Sequence, residues 1–555
     1  MSSTSSVRIV GMVRMMVTPF KSSSGSSGVA PGRQGLYTIR IEQLPLAPRL
    51  TPHDVLTDVF GYEDFRPGQE RIIGAVLGGR DCIGVMPTGA GKSLTFQIPA
   101  RLLPGTVLVV SPLISLMKDQ VDALVRNGFR AAVLNSSLDF EQRRDALRRL
   151  RAGEYELLYV APEGLEGFLR SVLADVRVSL VVVDEAHCIS EWGHDFRPAY
   201  RRLRGLKQEL GGVPILALTA TATRRVAGDI IRQLGMVKPD GFKGSFYRPN
   251  LSLWAHKKGD GRGSRKDLLA YVRRRTGESG IIYTLSRKNV DSLTEYLRAA
   301  GVRAAAYHAG LDDAVRSRHQ DAFARDEVDV IVATIAFGMG IDKSNVRYVI
   351  HREMPRSIES YYQEIGRAGR DGLASDCILL YSWADVIGHA RLQDQIEDAD
   401  LRAATRDKTR AMFNLADAPG CRQQALVAYF DEQMDACGAS CDHCKGTSAL
   451  ELFHAPAGAG IRAPAPAGGG ARVRAGTEAG ELDEEGVLRF QRLRSVRREL
   501  ADAEGVPAYI VFSDAVLARM AAARPSDEAG LLAISGVGPA KLARYGDAFL
   551  RALRD

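Results

Sequence analysis

No run of about 18 uninterrupted apolar residues occurs in this chain, which excludes a membrane-spanning helix as an organising element. Cysteine is sparse. Seven in 555 residues do not make the disulfide framework of a secreted domain, and a reducing, intracellular compartment follows. Acid is missing altogether from the first 41 residues, which hold Arg8, Arg14, Lys21 and many serines. That composition superficially resembles a transit peptide. Met12, Met15 and Met16 offer later starts, and the Ser/Gly stretch from Ser22 to Gly28 favours a segment that is disordered or untranslated. The rest is ordinary globular composition, 45% hydrophobic and 25% charged, long enough for three or four domains. A formal charge of +8 suits a polyanionic partner but is also common in proteins that merely stay dissolved.

Short apolar runs alternate with charged, helix-length segments from about residue 49 to 247. The strand-like runs are Asp81–Met86, Thr106–Ser111, Tyr155–Ala161, Leu180–Asp184 and Ile215–Thr219. Such alternation predicts a parallel sheet with helices on both faces. After a break near Tyr247–Asn250 the rhythm restarts with Gly280–Thr284, Ala304–His308, Val328–Thr334 and Val346–His351, so two α/β lobes stand in tandem. Residues 391–435 read as helical and lead into a Cys/His cluster. Residues 455–480 are Ala, Gly and Pro rich and read as a flexible linker, and Glu484–Asp555 has helical periodicity.

The first strand runs into Pro87-Thr88-Gly89-Ala90-Gly91-Lys92-Ser93 and then a helix, the context a phosphate-cradling loop requires. Thr88, Gly89 and Gly91 would let backbone N–H groups approach phosphate, Lys92 would reach the β- and γ-phosphates, and Ser93 would hold Mg²⁺. Met86 replaces the first glycine of the usual pattern. About 90 residues on, a buried strand delivers Asp184-Glu185-Ala186-His187 at its C-terminal end, where ligands bind in such sheets. Asp184 would hold Mg²⁺ and Glu185 would polarise the water attacking the γ-phosphate of ATP; a strand simply turning into solvent is the bland alternative. In the second lobe, Gln363-Glu364-Ile365-Gly366-Arg367-Ala368-Gly369-Arg370 carries two arginines, Arg367 and Arg370, able to complete the site from across the cleft.

With these motifs in view, the chain resembles the RecQ-type DNA helicases of helicase superfamily 2 over roughly residues 50 to 444 and again at the C-terminus. Phe60-Gly61-Tyr62 and Phe65-Arg66-Pro67-Gly68-Gln69-Glu70 look like the family's adenine motif, which implies that Gln69 reads the base edge with Phe65 or Arg66 near the ring. Met-Pro-Thr-Gly-x-Gly-Lys-Ser is how the family writes its loop. Ser111–Gln120 is similar to a DNA-backbone motif, and Ser190–Tyr200 resembles the aromatic-rich loop that couples single-strand binding to hydrolysis. In it Trp192 and Phe196 would stack on bases while His194 and Arg197 meet phosphate; aromatics tucked into the core are the alternative. Leu218–Ala222 looks like the inter-lobe coupling motif. Tyr307–Leu311 and Ala333–Lys343 complete the resemblance, with Asp342 placed near the nucleotide and Thr334 near DNA. The resemblance implies RecA-like lobes and 3′ to 5′ movement.

Cys421, Cys437, Cys441 and Cys444 suit tetrahedral Zn²⁺. Three residues, where the family usually has two, separate Cys437 from Cys441, and His443 stands as a rival ligand. The winged-helix domain of about a hundred residues that follows the zinc module in fuller RecQ enzymes has no counterpart, since only the linker lies between Cys444 and Glu484. The last domain resembles the helicase-and-RNase-D C-terminal (HRDC) module; Arg492, Arg494, Arg497 and Arg498 there read either as phosphate contacts or as a solvated helix face.

The expected organisation is a disordered extension (1–48), lobe one (49–247), lobe two (248–390), a helical zinc module (391–447), a linker (448–482) and a small all-α domain (483–555). The expected function is ATP-dependent unwinding of DNA in repair and recombination, with ATP, Mg²⁺ and Zn²⁺, on single-stranded or forked DNA, in the bacterial cytoplasm at the nucleoid. Three other readings stay open: a DNA-dependent ATPase that remodels without efficient unwinding, a nucleic-acid scaffold with a dead motor, and an RNA helicase.

Overall fold

The computed structural model describes residues 13–19, 37–43, 50–454 except 113, 136–137, 166–167, 194, 260–264, 336 and 338–342, and 482–554. It divides into two units, Met1–Thr51 and Pro52–Asp555. In the first, β1 (Val13–Pro19) pairs antiparallel with β2 (Tyr37–Gln43), from Val13 opposite Gln43 to Pro19 opposite Tyr37. Both strands fall in the extension expected to be disordered and carry β-branched residues that favour extended backbone; the rest of that extension lies outside the described residues.

The second unit opens with a seven-stranded sheet: β3 (Cys82–Val85), β4 (Thr106–Val110), β5 (Ala131–Leu134), β6 (Leu157–Val160), β7 (Val178–Val183), β8 (Ile215–Thr219) and β9 (Asp240–Lys243). All pairings are parallel and the spatial order is β5-β6-β4-β7-β8-β3-β9. Strands β3, β4, β6, β7 and β8 sit inside, with almost every side chain buried, which is why they read as unbroken apolar runs. The two not foreseen, Ala-rich β5 and half-exposed β9, are the outer strands.

The second sheet holds β10 (Leu251–Lys257), β11 (Ser279–Tyr283), β12 (Ala304–Tyr307), β13 (Val330–Ala333), β14 (Val346–His351) and β15 (Ser375–Tyr381), again all parallel, in the order β10-β15-β14-β11-β13-β12. Gly280 is fixed by packing: a Cβ there would lie 1.9 Å from the Tyr348 ring on the neighbouring strand.

Helices Trp383–Gln393, Ala399–Asp417 and Arg422–Tyr429 follow. Helix Ala449–His454 occupies the start of the expected linker, with Phe453 fully buried and edge-on to Tyr271 at 6.0 Å; residues 455–481 lie outside the described residues. Five helices from Glu484–Glu504 to Pro539–Arg554 make the C-terminal domain around Leu493, Val511, Leu517 and Phe549. Among the described residues no helix is long and apolar enough to cross a membrane.

Candidate nucleotide cleft and zinc centre

Strand β3 delivers Pro87–Ser93 to the C-terminal edge of the first sheet, ahead of helix Leu94–Leu102. Gly89 and Gly91 take positive φ of 84° and 78°, conformations that side chains rarely adopt. At Gly91 there is also no room, since a Cβ would lie 2.4 Å from Gln69 Nε2. That amide donates to the Gly91 carbonyl (3.0 Å), and its oxygen accepts from the Arg66 N–H (2.8 Å). Buried Gln69 thus braces the loop, and the Arg66 guanidinium donates to the Gly89 carbonyl. Lys92 Nζ, on the same loop, donates to the Met86 carbonyl (3.2 Å). A cavity of about 370 Å³ opens here, with Arg66, Gln69, Gly91 and Ser93 on its wall. Phe65 is not among its lining residues; it is half-buried, edge-on to His53 at 6.3 Å.

Strand β7 ends at Val183, and the Asp184 N–H donates to the Val110 carbonyl (2.9 Å). Burial, reinforced by the charge of Glu185 and opposed by that of Lys92, pushes the Asp184 carboxyl up to about 6. Glu185 itself adopts φ of 48°, a strained backbone for a side chain of this size. Its Oε2 lies 3.3 Å from His187 Nδ1, which is 3.0 Å from Thr219 Oγ1. Thr219 in turn reaches the Thr221 carbonyl (3.2 Å), and Gln363 of the second lobe approaches Thr221 Oγ1 at 3.5 Å. A line of polar contacts therefore joins the acidic box, through the Thr-Ala-Thr segment, to the arginine motif.

Helix Ile358–Ile365 presents that motif to the phosphate loop. A Cβ on Gly89 would sit 3.6 Å from Arg370 Cα and Cγ, and one on Gly366 would sit 3.1 Å from Thr88 Cβ. Arg370 is thus packed against the loop, whereas Arg367 is buried within the second lobe beside Tyr283. Arg248, which sequence reading passed over, bridges the seam: it donates to Thr88 (3.4 Å) of the loop and to Gly366 (3.1 Å), Ala368 (3.1 Å) and Gly369 (2.6 Å). A lone arginine in the break between lobes has no motif to betray it. Asp342 and His194 lie outside the described residues.

The residues expected on DNA separate into two groups. Trp192 is 46% exposed, with the Arg225 guanidinium 3.3 Å over its ring, and Phe196 is half-buried beneath Arg201 (5.0 Å). Thr334 is half-buried at the end of β13, beside exposed Ile335. Ser111 is buried, and Arg197 is engaged with Asp195 (3.2 Å) and the Pro112 carbonyl (3.2 Å), which makes it a brace for the loop. Lys408, unforeseen, holds the loop from the helical module by donating to the Trp192 and Gly193 carbonyls (both 3.2 Å).

The four sulfurs of Cys421, Cys437, Cys441 and Cys444 lie within 4.8 Å of one another. Backbone N–H groups point at them: Cys437 N and Gln424 N at Cys421 Sγ (3.2 and 3.4 Å), and Cys444 N at Cys441 Sγ (3.4 Å). Amide donors of this kind favour thiolate, the form zinc binds, so the donor set fits a structural Zn²⁺. His443 is exposed and outside the cluster. Gly438, at φ of 71°, turns the longer loop between Cys437 and Cys441. The centre is fastened to the second sheet, because Leu253 N donates to Ser440 (3.0 Å) and Asp442 accepts from Ala255 N (2.8 Å) and Arg422 (3.0 Å).

Residues 66–230 match the DEAD/DEAH box helicase family, 264–372 the helicase conserved C-terminal domain, 383–445 the RecQ zinc-binding family and 488–553 the HRDC domain. The chain is 38% identical to the ATP-dependent DNA helicase RecQ of Bacillus subtilis (strain 168), over 584 aligned positions that take in 90% of this chain and 98% of that protein. It belongs to the RecQ family. The RecQ helicase of Pasteurella multocida (strain Pm70) is 37% identical, over 93% of this chain and 95% of its own. Among solved structures, the DUF1998 helicase MrfA bound to DNA superposes with a TM-score of 0.50 and 15% identity over 61% of this chain and 52% of that one, a likeness of fold. The RecQ alignment uses more positions than this chain supplies residues, so the Bacillus protein carries sequence with no counterpart here.

Proposed function

We propose that this RecQ-family chain hydrolyses ATP between its lobes to move 3′ to 5′ along single-stranded DNA and part the strands of forked duplexes, serving repair and recombination at the bacterial nucleoid. The observation that carries the reading is the packing of Arg370 against the phosphate loop that holds Lys92, with buried Asp184 sharing Lys92's field. Lys92 and the loop N–H groups bind the phosphates, Ser93 and Asp184 hold Mg²⁺, Glu185 orients the attacking water, and Arg370 meets charge developing on the γ-phosphoryl group. Mg²⁺ supplies charge neutralisation at the phosphate oxygens when bound. Because Gln363 reaches Thr221 from the other lobe, a change at the γ-phosphate is felt as a change in lobe position. Trp192, held through its backbone by Lys408, offers the exposed face on which a base stacks.

A second reading, a DNA-dependent ATPase that remodels DNA without efficient unwinding, is favoured by one observation: the chain between Cys444 and Asp483 is too short for the winged-helix domain of fuller relatives.

The substrate class is tested by measuring ATP hydrolysis with DNA and RNA single strands of one sequence. DNA is expected to stimulate turnover on the order of tens of fold, the range of ordinary inter-site coupling, and RNA much less. Equal stimulation by RNA overturns the DNA assignment.

A further inference from the structure

Between β9 of the first sheet and β10 of the second, consecutive residues of the crossing chain are each held by a different part of the fold. The Phe246 N–H donates to Glu432 (2.6 Å), the Phe246 ring stacks on Phe430 with centroids 4.3 Å apart and planes 3° from parallel, and the Phe246 carbonyl accepts from the Tyr362 hydroxyl (3.0 Å). Next in the chain, the Tyr247 hydroxyl lies 3.2 Å from Ser440 Oγ in the cysteine-bearing loop. The crossing is therefore seated before it reaches the nucleotide cleft, and it delivers Arg248 there from a fixed base.

Arg248 is half-buried, and among the described residues every one of its hydrogen bonds ends on a backbone carbonyl. Nη1 serves Thr88 and Gly366, and Nη2 serves Ala368 and Gly369. Three of these carbonyls lie just past the end of helix Ile358–Ile365, where a helix leaves its last carbonyls without donors of its own and gathers partial negative charge. A planar cation with a rigid fork of donors fits that turn, whereas an ammonium is a single point of charge on a flexible stem. Asn250 grips the same turn by donating to Gly369 (2.9 Å) and Leu373 (3.0 Å). The residue that follows Gly369 is Arg370, already packed on Gly89. One guanidinium thus spans the phosphate loop and the backbone that presents Arg370.

Resting on the role proposed above for Arg370, we propose that Arg248 is a positioning residue for phosphoryl transfer: its fork sets the backbone of Gly366–Gly369 against Thr88 of the phosphate loop and so holds Arg370 where it meets the γ-phosphoryl group. Arg248 acts through Arg370, without touching phosphate itself. Of its four bonds, the one to Thr88 is the longest at 3.4 Å and the one that crosses between lobes. It parts first when the lobes open, and the other three carry Arg248 and the turn away together with the second lobe. Closure re-forms it, which places Arg370 only when the cleft is shut.

Steady-state ATP turnover of the full-length protein at saturating single-stranded DNA, read with mant-ADP affinity and a thermal melt, tests this in a double-mutant cycle of Arg248→Lys and Arg370→Ala. Misplacing a reacting group by about 1 Å costs on the order of 10²-fold in rate, so Arg248→Lys is expected to lower kcat by about 10²-fold while KM for ATP, mant-ADP affinity and melting temperature stay near wild type. In the Arg370→Ala background the same substitution is expected to change kcat by less than about twofold, because the residue through which it acts is gone. A further loss of similar size in that background makes the contribution independent of Arg370 and overturns the proposal. So does a lysine variant with kcat within about twofold of wild type, since charge without the fork then suffices. Should Arg248→Lys melt early, Asn250→Ala, which releases the Gly369 carbonyl from its other donor, takes its place in the cycle and is expected to show the same dependence on Arg370. Full turnover by Arg370→Ala sinks the arginine assignment itself, whereas impaired Arg370→Ala beside unimpaired Arg248→Lys sinks the positioning role alone.

Discussion

Replacing Arg370 with alanine is expected to lower DNA-stimulated ATP turnover by about 10³-fold or more while leaving nucleotide affinity and melting temperature near wild type, because an arginine supplied from the facing lobe acts on charge that exists only in the transition state. The geometry singles out this arginine. Arg370 packs on Gly89 of the phosphate loop, whereas Arg367 is buried beside Tyr283. Arg367→Ala is accordingly expected to lose stability along with activity, since it empties a buried site. Steady-state turnover at saturating DNA, read beside a thermal melt of each variant, checks both. A variant lacking Arg370 that retains turnover, or an Arg367→Ala protein that loses only turnover, would reverse the assignment.

Cys441→Ser carries the next largest effect. Structural zinc sites in small modules contribute about 10–16 kcal/mol of apparent binding free energy, as much as a typical domain's whole net stability. Cys441 lies where the cluster bridges to Leu253 of β10, so losing the ion also releases the helices that present Lys408 to the aromatic loop. Elemental analysis is expected to find equimolar zinc in wild type and none in the variant, with residues 391–454 newly open to limited proteolysis. His443→Ala should keep its zinc, as the imidazole lies outside the sulfur cluster. Zinc retained by Cys441→Ser but lost by His443→Ala would exchange their roles.

How much of this is legible in the sequence follows from how local each feature is. The phosphate loop, the acidic box and the cysteine cluster are short strings whose chemistry requires residue types at fixed spacing, and the inner strands of the first sheet, buried on two faces, read as apolar runs. The outer strands β5 and β9 lack that signature. Contacts made across the fold leave no local trace: Arg248 at the seam, Lys408 under the aromatic loop, and Arg497, whose spacing on a helix cannot tell a solvated face from one covered by another domain. The same limit applies to Arg197, expected on DNA, whose guanidinium donates to the Pro112 carbonyl, and to Ser111, which is buried. Gly61 and Gly538 are visible as glycines, but only the fold brings them face to face.

These lobes are expected to turn ATP hydrolysis into strand separation even though the chain between Cys444 and Asp483 leaves no room for a winged helix. The most direct test is ATP-dependent release of a labelled strand from a forked DNA duplex by the purified full-length protein, with Arg370→Ala in parallel. Release by wild type and its loss in the variant are the predicted result; single-strand-stimulated hydrolysis with no strand released would contradict it and establish a remodelling ATPase.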